Sequence, residues 1–399
     1  MTLKITEFTE IRLFDMLKFR KYEHVMYIPQ LELDHLKSLL SKGKVVIIYG
    51  PRRVGKTTLL KKYLEDKQDF LFVSGEDIFI REFLSSESIE KLKGFVGNKT
   101  LLVIDEAQFI PAIGLNLKLI TDHIPSVQVI ATGSSTFDLV KQVGEPLTGR
   151  KSVIKMFPIS QMELNQIENP AQTKANLEAR LIYGSYPEVV TTESAHSRQE
   201  YLQELVSSYL LKDILAFEGI QKSKKIIDLL ILLAFQIGKE VSHSELATQL
   251  SLSRVTVEKY LDMLEQVFVL INIRGFSRNL RKEVTKTSKY FFYDNGIRNA
   301  LINNFNLLIR RDDVGALWEN YLVMERLKKQ QYKQVWSHNF FWRTYDQKEL
   351  DWVEDREGQL FGYEFKWGQQ VKAPKIWLES YPNATYECIN QTNYLTFIT

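Results

Sequence analysis

The fold of this chain is decided by residues 44–60, which read KVVIIYGPRRVGKTTLL. Residues 45–49 form a short apolar run, mostly β-branched, that is typical of a strand buried inside a parallel sheet. A loop bracketed by Gly50 and Gly55 follows, and residues 59–66 after it are compatible with a helix. The order of strand, glycine-bracketed loop and helix predicts an α/β layer in which the loop leads directly into a helix amino terminus.

The spacing of the loop, Gly50-x4-Gly55-Lys56-Thr57, is the P-loop pattern in its required structural context. Its glycines allow backbone N–H groups to surround phosphate oxygens, and the helix amino terminus adds positive potential. Lys56 is expected to reach the β- and γ-phosphates of ATP as a catalytic residue, and Thr57 is expected to ligate Mg²⁺. The predicted nucleotide-binding residues are Gly50, Pro51, Arg52, Arg53, Val54, Gly55, Lys56, Thr57 and Thr58.

Two further apolar runs end in polar residues. Residues 101–108 read LLVIDEAQ, in which Asp105 is expected to hold the Mg²⁺ and Glu106 to orient and polarise the attacking water. Glu106 favours hydrolysis over nucleotide binding alone. The run 127–135 ends in small polar residues, so Thr132 and Ser134 are candidate γ-phosphate sensors, the alternative being an ordinary turn with a serine cap. Together these runs predict a doubly wound sheet with ATP at the strand carboxyl ends.

Length and composition limit the remaining possibilities. A chain of 399 residues with 44% hydrophobic and 25% charged residues indicates a globular protein of several domains. The longest apolar stretch, residues 226–235, is too short to cross a bilayer, and the amino terminus has no apolar signal segment. The single cysteine, Cys388, excludes an intrachain disulfide. We therefore expect a cytoplasmic protein without membrane association.

Residues 222–311 contain 15 Lys and Arg against 8 Asp and Glu, an excess typical of a solvated face or of a phosphate-binding surface. Within them, residues 224–237, 245–249 and 254–266 are predicted as helices, with Ser242 capping the second. Two strands with a basic connection follow, which predicts a winged helix. The predicted DNA-binding residues are Arg254, Lys259, Arg274, Arg278, Arg281 and Lys282. Further candidates for DNA contact are Thr256, Lys286 and Lys289. Protein docking is the alternative role for this segment.

Near the carboxyl end, residues 362–368 read GYEFKWG, and strand periodicity places Glu364 and Lys366 on one face. A two-residue turn at 357–358 places Asp351 opposite Glu364. Glu319, close to the apolar stripe of a predicted helix, is a third carboxylate that needs a partner. Such oxygen ligands suit Mg²⁺ or Mn²⁺, the alternative being a strand ion pair of little energetic value.

The motifs together resemble AAA+ ATPases, and more narrowly the prokaryotic AAA ATPases that carry a C-terminal domain of unknown function. The segments that carry the resemblance are GPRRVGKTTLL, LLVIDEAQ, ATGSS, LTGRKSVIKMFPISQME, YGSYPEVV and YLLKDIL. The resemblance implies a ring-forming homo-oligomer, with a hexamer favoured, in which a neighbouring subunit supplies an arginine. Arg150 is the first choice for this catalytic arginine and Arg180 the second.

The arrangement Glu…Asp…Glu-x-Lys resembles the PD-(D/E)xK nuclease superfamily, although Leu350 stands where that pattern has proline. The resemblance implies that Glu319, Asp351 and Glu364 bind a nuclease metal and that Lys366 stabilises charge. Whether this unit cuts nucleic acid or retains the fold for binding alone stays open at the level of sequence.

The predicted fold class is α/β, with an AAA+ P-loop NTPase core and helical lid, then a winged helix and an α/β nuclease-like domain. The expected boundaries are 1–155 for the core with an N-terminal helical arm, 156–222 for the lid, 223–298 for the winged helix and 299–399 for the nuclease-like domain. The expected function is a magnesium-dependent ATPase, converting ATP and water to ADP and phosphate, coupled to binding or remodelling of branched or broken DNA. The alternative is an ATP-controlled oligomeric switch that docks proteins and carries an inactive nuclease-like domain.

Overall fold

The computed structural model describes residues 27–41, 43–134, 147–210, 223–276, 288–344 and 347–399. The first of its two sheets is parallel throughout and has the strand order β2-β3-β4-β1-β5. Its strands are β1 (Val45–Tyr49), β2 (Phe70–Ser74), β3 (Leu101–Asp105), β4 (Gln128–Gly133) and β5 (Lys151–Lys155). The predicted parallel α/β sheet is therefore confirmed.

Helices cover both faces of this sheet, which explains why β1 is apolar at consecutive positions rather than at alternate ones. Val46 and Ile48 face one apolar cluster, whereas Val45 and Ile47 face another. The helices of this part are α1 (Glu32–Leu39), α2 (Lys56–Leu64), α3 (Ile78–Leu84), α4 (Ile89–Val96) and α5 (Ile113–His123). Helices α1 and α2 pack on the first cluster, and α4 and α5 on the second.

The segment after β5, in which we predicted a lid, is helical. It contains α6 (Gln161–Leu164), α7 (Pro170–Tyr183), α8 (Pro187–Thr191) and α9 (Ala195–Glu204), with a π-helical continuation at Leu205–Leu210. Ser160 and Glu163 form a capping box at the start of α6, and Asn169 and Gln172 form another at α7. These reciprocal hydrogen bonds satisfy amide groups that a helix start leaves without partners, so the local sequence fixes both helix starts.

The second sheet has seven strands within the described residues, in the order β12-β11-β10-β9-β7-β8-β6. They are β6 (Glu240–Val241), β7 (Leu270–Gly275), β8 (Ser288–Phe292), β9 (His338–Arg343), β10 (Glu349–Arg356), β11 (Gln359–Phe365) and β12 (Thr385–Ile389). The accompanying helices are α10 (Ser223–Phe235), α11 (His243–Leu250), α12 (Arg254–Gln266), α13 (Asn295–Leu301), α14 (Val314–Tyr332), α15 (Lys375–Ser380) and α16 (Tyr394–Ile398).

This second sheet crosses the boundary that we expected at residue 298. Strand β7 pairs in parallel with β9, with Arg274 opposite Phe340 and Gly275 opposite Phe341. The strands that follow α12 therefore belong to the same hydrogen-bonded sheet as the C-terminal strands. Sequence alone did not indicate this pairing, because it joins residues far apart along the chain.

Several local predictions are confirmed. Helix α12 spans residues 254–266 as expected, and the Ser242 side chain accepts a hydrogen bond from the Glu245 N–H at the start of α11. Glu357 and Gly358, with φ of 52° and 83°, form the two-residue turn between β10 and β11. The predicted N-terminal arm in residues 1–26 and the basic connection 277–287, with Arg278, Arg281, Lys282 and Lys286, lie outside the described residues.

Candidate functional site

The loop between β1 and α2 contains two glycines at which an added side chain would meet close neighbours. A Cβ atom added to Gly50 would lie 2.4 Å from the Met156 carbonyl oxygen. Gly55 has a φ of 97°, and a Cβ there would lie 2.8 Å from Gln30 Nε2. Because the left-handed backbone and the close contact coincide at Gly55, the loop requires glycine there.

Lys56, the first residue of α2, folds back over this loop. Its Nζ donates hydrogen bonds to the carbonyl oxygens of Gly50, at 2.9 Å, and Pro51, at 2.8 Å. The side chain is 5% exposed, so its ammonium group is held at the loop. This is the position from which the ammonium can meet phosphate oxygens bound by the loop amides.

The Thr57 hydroxyl and the Asp105 carboxylate lie side by side at the carboxyl edge of the sheet. Thr57 Oγ1 donates to Asp105 Oδ2 at 2.8 Å, which joins the start of α2 to the end of β3. Thr132 Oγ1 donates to Asp105 Oδ1 at 2.5 Å and accepts from the Glu106 N–H at 3.0 Å. A hydroxyl and a carboxylate oxygen at this position fit the hard oxygen ligands that Mg²⁺ requires.

Thr132 is fully buried behind Asp105, and its hydroxyl bonds to Asp105 and Glu106. This hydroxyl therefore positions the acidic pair within the protein. Ser134, the other sensor candidate, accepts a hydrogen bond from Gln108 Nε2 at 3.2 Å.

Glu106 has a left-handed backbone, with φ of 51°, at the tip of β3. Its Oε2 accepts a hydrogen bond from Gln108 Nε2 at 2.5 Å. Gln108 Oε1 is buried and lacks a hydrogen-bond partner among the described residues. We did not single out Gln108 from the sequence, although its position two residues after Glu106 at a strand tip was a usable signal.

Gln30 is a second residue that sequence reasoning missed. It is 7% exposed, and its Nε2 donates to the Gly55 carbonyl oxygen at 3.4 Å. The next residue, Leu31, donates its N–H to Glu163 Oε1 at 3.1 Å. The segment before α1 therefore touches both the loop and the start of α6, a long-range contact that no local pattern indicates.

The two candidate arginines are engaged within their own chain. Arg150 immediately precedes β5, at the amino ends of the parallel strands, whereas the loop lies at their carboxyl ends. Its guanidinium pairs with Asp122. Arg180 is 4% exposed, pairs with Glu168 and donates to Gln161 Oε1 at 2.6 Å. Neither guanidinium lies at the loop of its own chain, and a role toward a neighbouring subunit stays a prediction.

The structure brings the C-terminal candidates together. Strand β10 pairs with β11 so that Trp352 faces Tyr363, and the same register places Asp351 opposite Glu364. Asp351 Oδ2 accepts from the Phe365 N–H at 2.8 Å, and Glu364 Oε1 lies 2.6 Å from Lys366 Nζ.

Lys289, which we considered as a DNA contact, is buried within this group. Its Nζ lies 3.3 Å from Glu319 Oε1 and 3.8 Å from Asp351 Oδ1, and the residue is 3% exposed. The prediction that Lys289 contacts DNA is therefore wrong, because its ammonium group faces the protein interior. No group of three or more His, Cys, Asp or Glu side chains is arranged to hold a metal ion in the part of the chain that is described.

The titration behaviour of these groups follows from burial and charge. Burial raises the pKa of Glu319 to about 8, and the Asp351 charge adds to this while Lys289 opposes it. Burial also raises the pKa of Glu364 to about 7. Burial alone would lower the pKa of Lys289, but the carboxylates of Glu319 and Asp351 hold it above its ordinary value.

Among the remaining described DNA-contact candidates, Arg254, Lys259 and Arg274 are exposed, whereas Thr256 is half-buried. Arg254 and Lys259 lie on α12, and Arg274 lies on β7. Arg254 Nε is 2.8 Å from Glu258 Oε1 in an exposed ion pair. Their positions leave these cations accessible to a polyanion or to a protein partner.

Three segments of this chain match known protein-family models. Residues 42–165 match the family model of an AAA domain, residues 174–308 match a domain of unknown function (DUF8612), and residues 314–378 match another domain of unknown function (DUF4143). The second match spans the boundary at residue 222 that we expected between lid and winged helix.

Two of the curated relatives align with most of the chain, and a third aligns with a short segment. An uncharacterized protein of Mycobacterium tuberculosis is 25% identical over 336 residues, which are 83% of this chain and 72% of that protein. One from Haemophilus influenzae is 24% identical over 343 residues, 79% of this chain and 80% of that protein. An uncharacterized ATP-binding protein of Methanocaldococcus jannaschii is 44% identical over 50 residues, 12% of this chain and 85% of that protein.

The AAA match and the loop geometry support a P-loop ATPase domain in the first part of the chain, followed by segments of unknown function. Across the described ranges, no helix has the length and apolar character needed to cross a membrane.

Proposed function

We propose that this protein is a magnesium-dependent ATPase. The observation that carries the proposal is the hydrogen bond from Thr57 Oγ1 to Asp105 Oδ2, with Glu106 as the next residue along the chain. The loop amides and Lys56 bind the phosphates of ATP, and Thr57 and Asp105 hold the magnesium ion. When bound, Mg²⁺ supplies charge neutralisation at the β- and γ-phosphates.

Glu106 is the group that acts on water in this proposal. Its carboxylate accepts a proton from the water that attacks the γ-phosphorus, while the bond from that phosphorus to the β–γ bridging oxygen breaks and ADP leaves. In the structure, Gln108 holds this carboxylate through a hydrogen bond. Gln108 is therefore a positioning residue that fixes one oxygen of this carboxylate.

Nucleotide binding is tested by calorimetry of ATP and ADP with the full chain, with and without Mg²⁺. Lys56→Ala is expected to lose affinity at least about tenfold for both nucleotides, because its ammonium group is held at the phosphate-binding loop. Lys61→Ala, a change on the same helix but outside the loop, is the matched control. Equal affinity in the wild-type protein and Lys56→Ala would contradict the phosphate-binding role.

We also propose that the exposed cations Arg254, Lys259 and Arg274 bind DNA, within a winged helix formed by α10–α12, β7 and β8. The proposal is supported by their exposure and by the helix pair α11–α12. Binding of fluorescent duplex and junction DNA is expected to weaken as salt rises, because phosphate neutralisation releases counterions. Replacing Arg254, Lys259 and Arg274 together with glutamine should make the affinity for DNA less dependent on the salt concentration.

The alternative function is an oligomeric switch that docks proteins through the same surface. Mass photometry with ATP, ADP and no nucleotide tests it, since the switch requires the assembly state to follow the nucleotide. Mixing Arg150→Ala with Lys56→Ala subunits tests the arginine in trans. Recovered turnover in the mixture supports it, and no recovery at any ratio contradicts it. A nucleotide-dependent assembly without DNA binding at low salt would favour the switch.

A further inference from the structure

Glu319 and Asp351 flank a cation that belongs to the protein itself. Lys289 enters from β8, and its Nζ is 3.3 Å from Glu319 Oε1 on α14 and 3.8 Å from Asp351 Oδ1 on β10. The aliphatic part of the lysine is shielded from solvent, since the whole residue is 3% exposed. Its Nζ also lies 5.3 Å from the centre of the Phe341 ring.

Glu319 is confined on its other side as well. A Cβ atom added to Gly238 would lie 2.7 Å from Glu319 Oε2, so the backbone before β6 is in contact with this oxygen. One carboxylate oxygen thus faces the lysine and the other faces backbone. Because Mg²⁺ binds oxygen ligands at about 2.0–2.1 Å, an ion joining Glu319 to Asp351 would occupy the space of the ammonium group.

Charge leads to the same conclusion as geometry. Buried carboxylates that are close together need a compensating positive charge, and leaving them without one is strongly unfavourable. Lys289 provides a charge that is covalently attached and independent of metal supply. A divalent cation added beside it would be repelled by the ammonium group.

We propose that Lys289 is a built-in counter-ion that takes the position of a divalent metal between Glu319 and Asp351, so that these two carboxylates bind the ammonium group in place of a metal ion. The lysine joins β8 to α14 and β10. These residues therefore hold the sheet to its covering helix. The proposal does not depend on ATP hydrolysis or on DNA binding.

The test is Mn²⁺ binding to the nucleotide-free full chain, measured by electron paramagnetic resonance and by thermal unfolding. All variants carry Asp105→Asn, which removes the acidic ligand of the nucleotide site. With Lys289 present, Mn²⁺ is expected to leave the unfolding temperature unchanged. Lys289→Met is expected to unfold at a lower temperature and to bind Mn²⁺ at least about tenfold more tightly. Lys259→Met, an exposed lysine on α12, is the control.

Adding Asp351→Asn to Lys289→Met should abolish the gained Mn²⁺ binding. Mn²⁺ binding with Lys289 present that Glu319→Gln and Asp351→Asn each remove would overturn the proposal. A folded Lys289→Met variant that gains no Mn²⁺ affinity would overturn it equally. If Lys289→Met does not fold, Mn²⁺ binding is compared in proteins that keep Lys289, with Glu319→Gln alone and with Asp351→Asn alone, and this comparison still decides the question.

Discussion

Thr57 Oγ1 and Asp105 Oδ2 are joined by a hydrogen bond of 2.8 Å across 48 residues of sequence. The bond connects the helix that begins in the loop to the strand that carries the acidic pair. Thr132 supports the same carboxylate from β4 through a bond of 2.5 Å. The candidate site is therefore one connected unit built at the carboxyl ends of three neighbouring strands.

Removing the supporting hydroxyl should impair turnover more than nucleotide binding. Thr132→Val removes the hydrogen bonds to Asp105 and to the Glu106 amide without changing the volume of the buried side chain greatly. We expect turnover to fall by about tenfold or more, with ATP affinity changed by less than about threefold. Thr132→Ser keeps the hydroxyl and is the control. Parallel losses of affinity and turnover would instead indicate direct contact with the nucleotide.

Gly55 and Gly43 both have a left-handed backbone, but only at Gly55 would an added Cβ atom meet a close neighbour. Gly55 has φ of 97° with Gln30 Nε2 2.8 Å from an added Cβ, whereas Gly43 has φ of 75° with nothing within 4 Å. Gly55→Ala should weaken ATP binding at least about tenfold, because the left-handed backbone at φ 97° becomes strained within the loop and Gln30 must be displaced from it. Gly43→Ala should lower stability by about 1 kcal/mol and leave affinity almost unchanged. Similar ATP affinities of the two variants would contradict this.

A buried ion pair in the C-terminal unit should be far more important than an exposed one. Arg326 donates from Nε and Nη2 to the two oxygens of Glu354 at 2.6 and 3.1 Å, and Glu354 is fully buried. Arg326→Met should reduce the free energy of unfolding by about 3–5 kcal/mol, because a carboxylate stays buried without its main partner. Arg254→Met breaks the exposed pair with Glu258 and should change it by less than about 1 kcal/mol. Chemical denaturation measures the free energy of unfolding of both variants. Equal losses of stability in the two variants would contradict this prediction.

Lys155 should give the protein a distinctive alkaline response. Its Nζ lies 4.9 Å from the ring centre of Phe157, 5.1 Å from Tyr293 and 5.8 Å from Phe268. Burial among these rings lowers the pKa of Lys155 to about 8 from 10.5. Between these values the unfolded chain holds a proton that the folded chain has lost, so stability rises with pH, by at most about 1.4 kcal/mol per pH unit.

The measurement is denaturant unfolding from pH 8 to pH 10.5 for wild type and Lys155→Met. The difference in unfolding free energy between the two proteins should shift in favour of wild type as pH rises. Tyr293 stays neutral over this range, since burial raises its pKa further above the ordinary value. A difference that does not change with pH would show that the Lys155 proton is retained.

The parts of the fold that sequence predicted are those with local signals. The glycine spacing around Lys56 and the apolar run before Asp105 locate two strands and the loop between strand and helix. Serine at position 242 locates a helix start, and the turn at 357–358 sets a strand register. In each case the deciding residues are within a few positions of one another.

The parts that sequence did not predict depend on contacts between distant segments. Gln30 meets the Gly55 carbonyl oxygen across 25 residues, and Lys289 meets Glu319 across 30. The pairing of β7 with β9 joins segments that a domain boundary was expected to separate. A lysine in a basic segment was naturally interpreted as a surface charge. Only the three-dimensional register shows that it is the partner of buried carboxylates.

The central claim is tested most directly by phosphate release from ATP with Mg²⁺, comparing wild type with Glu106→Gln, while ATP binding is measured on the same samples. The account predicts that Glu106→Gln binds ATP within about threefold of wild type and releases phosphate at least about 100-fold more slowly. Wild-type turnover by Glu106→Gln would contradict the role of Glu106. Absence of Mg²⁺-dependent turnover in the assembled wild-type protein would contradict the ATPase itself.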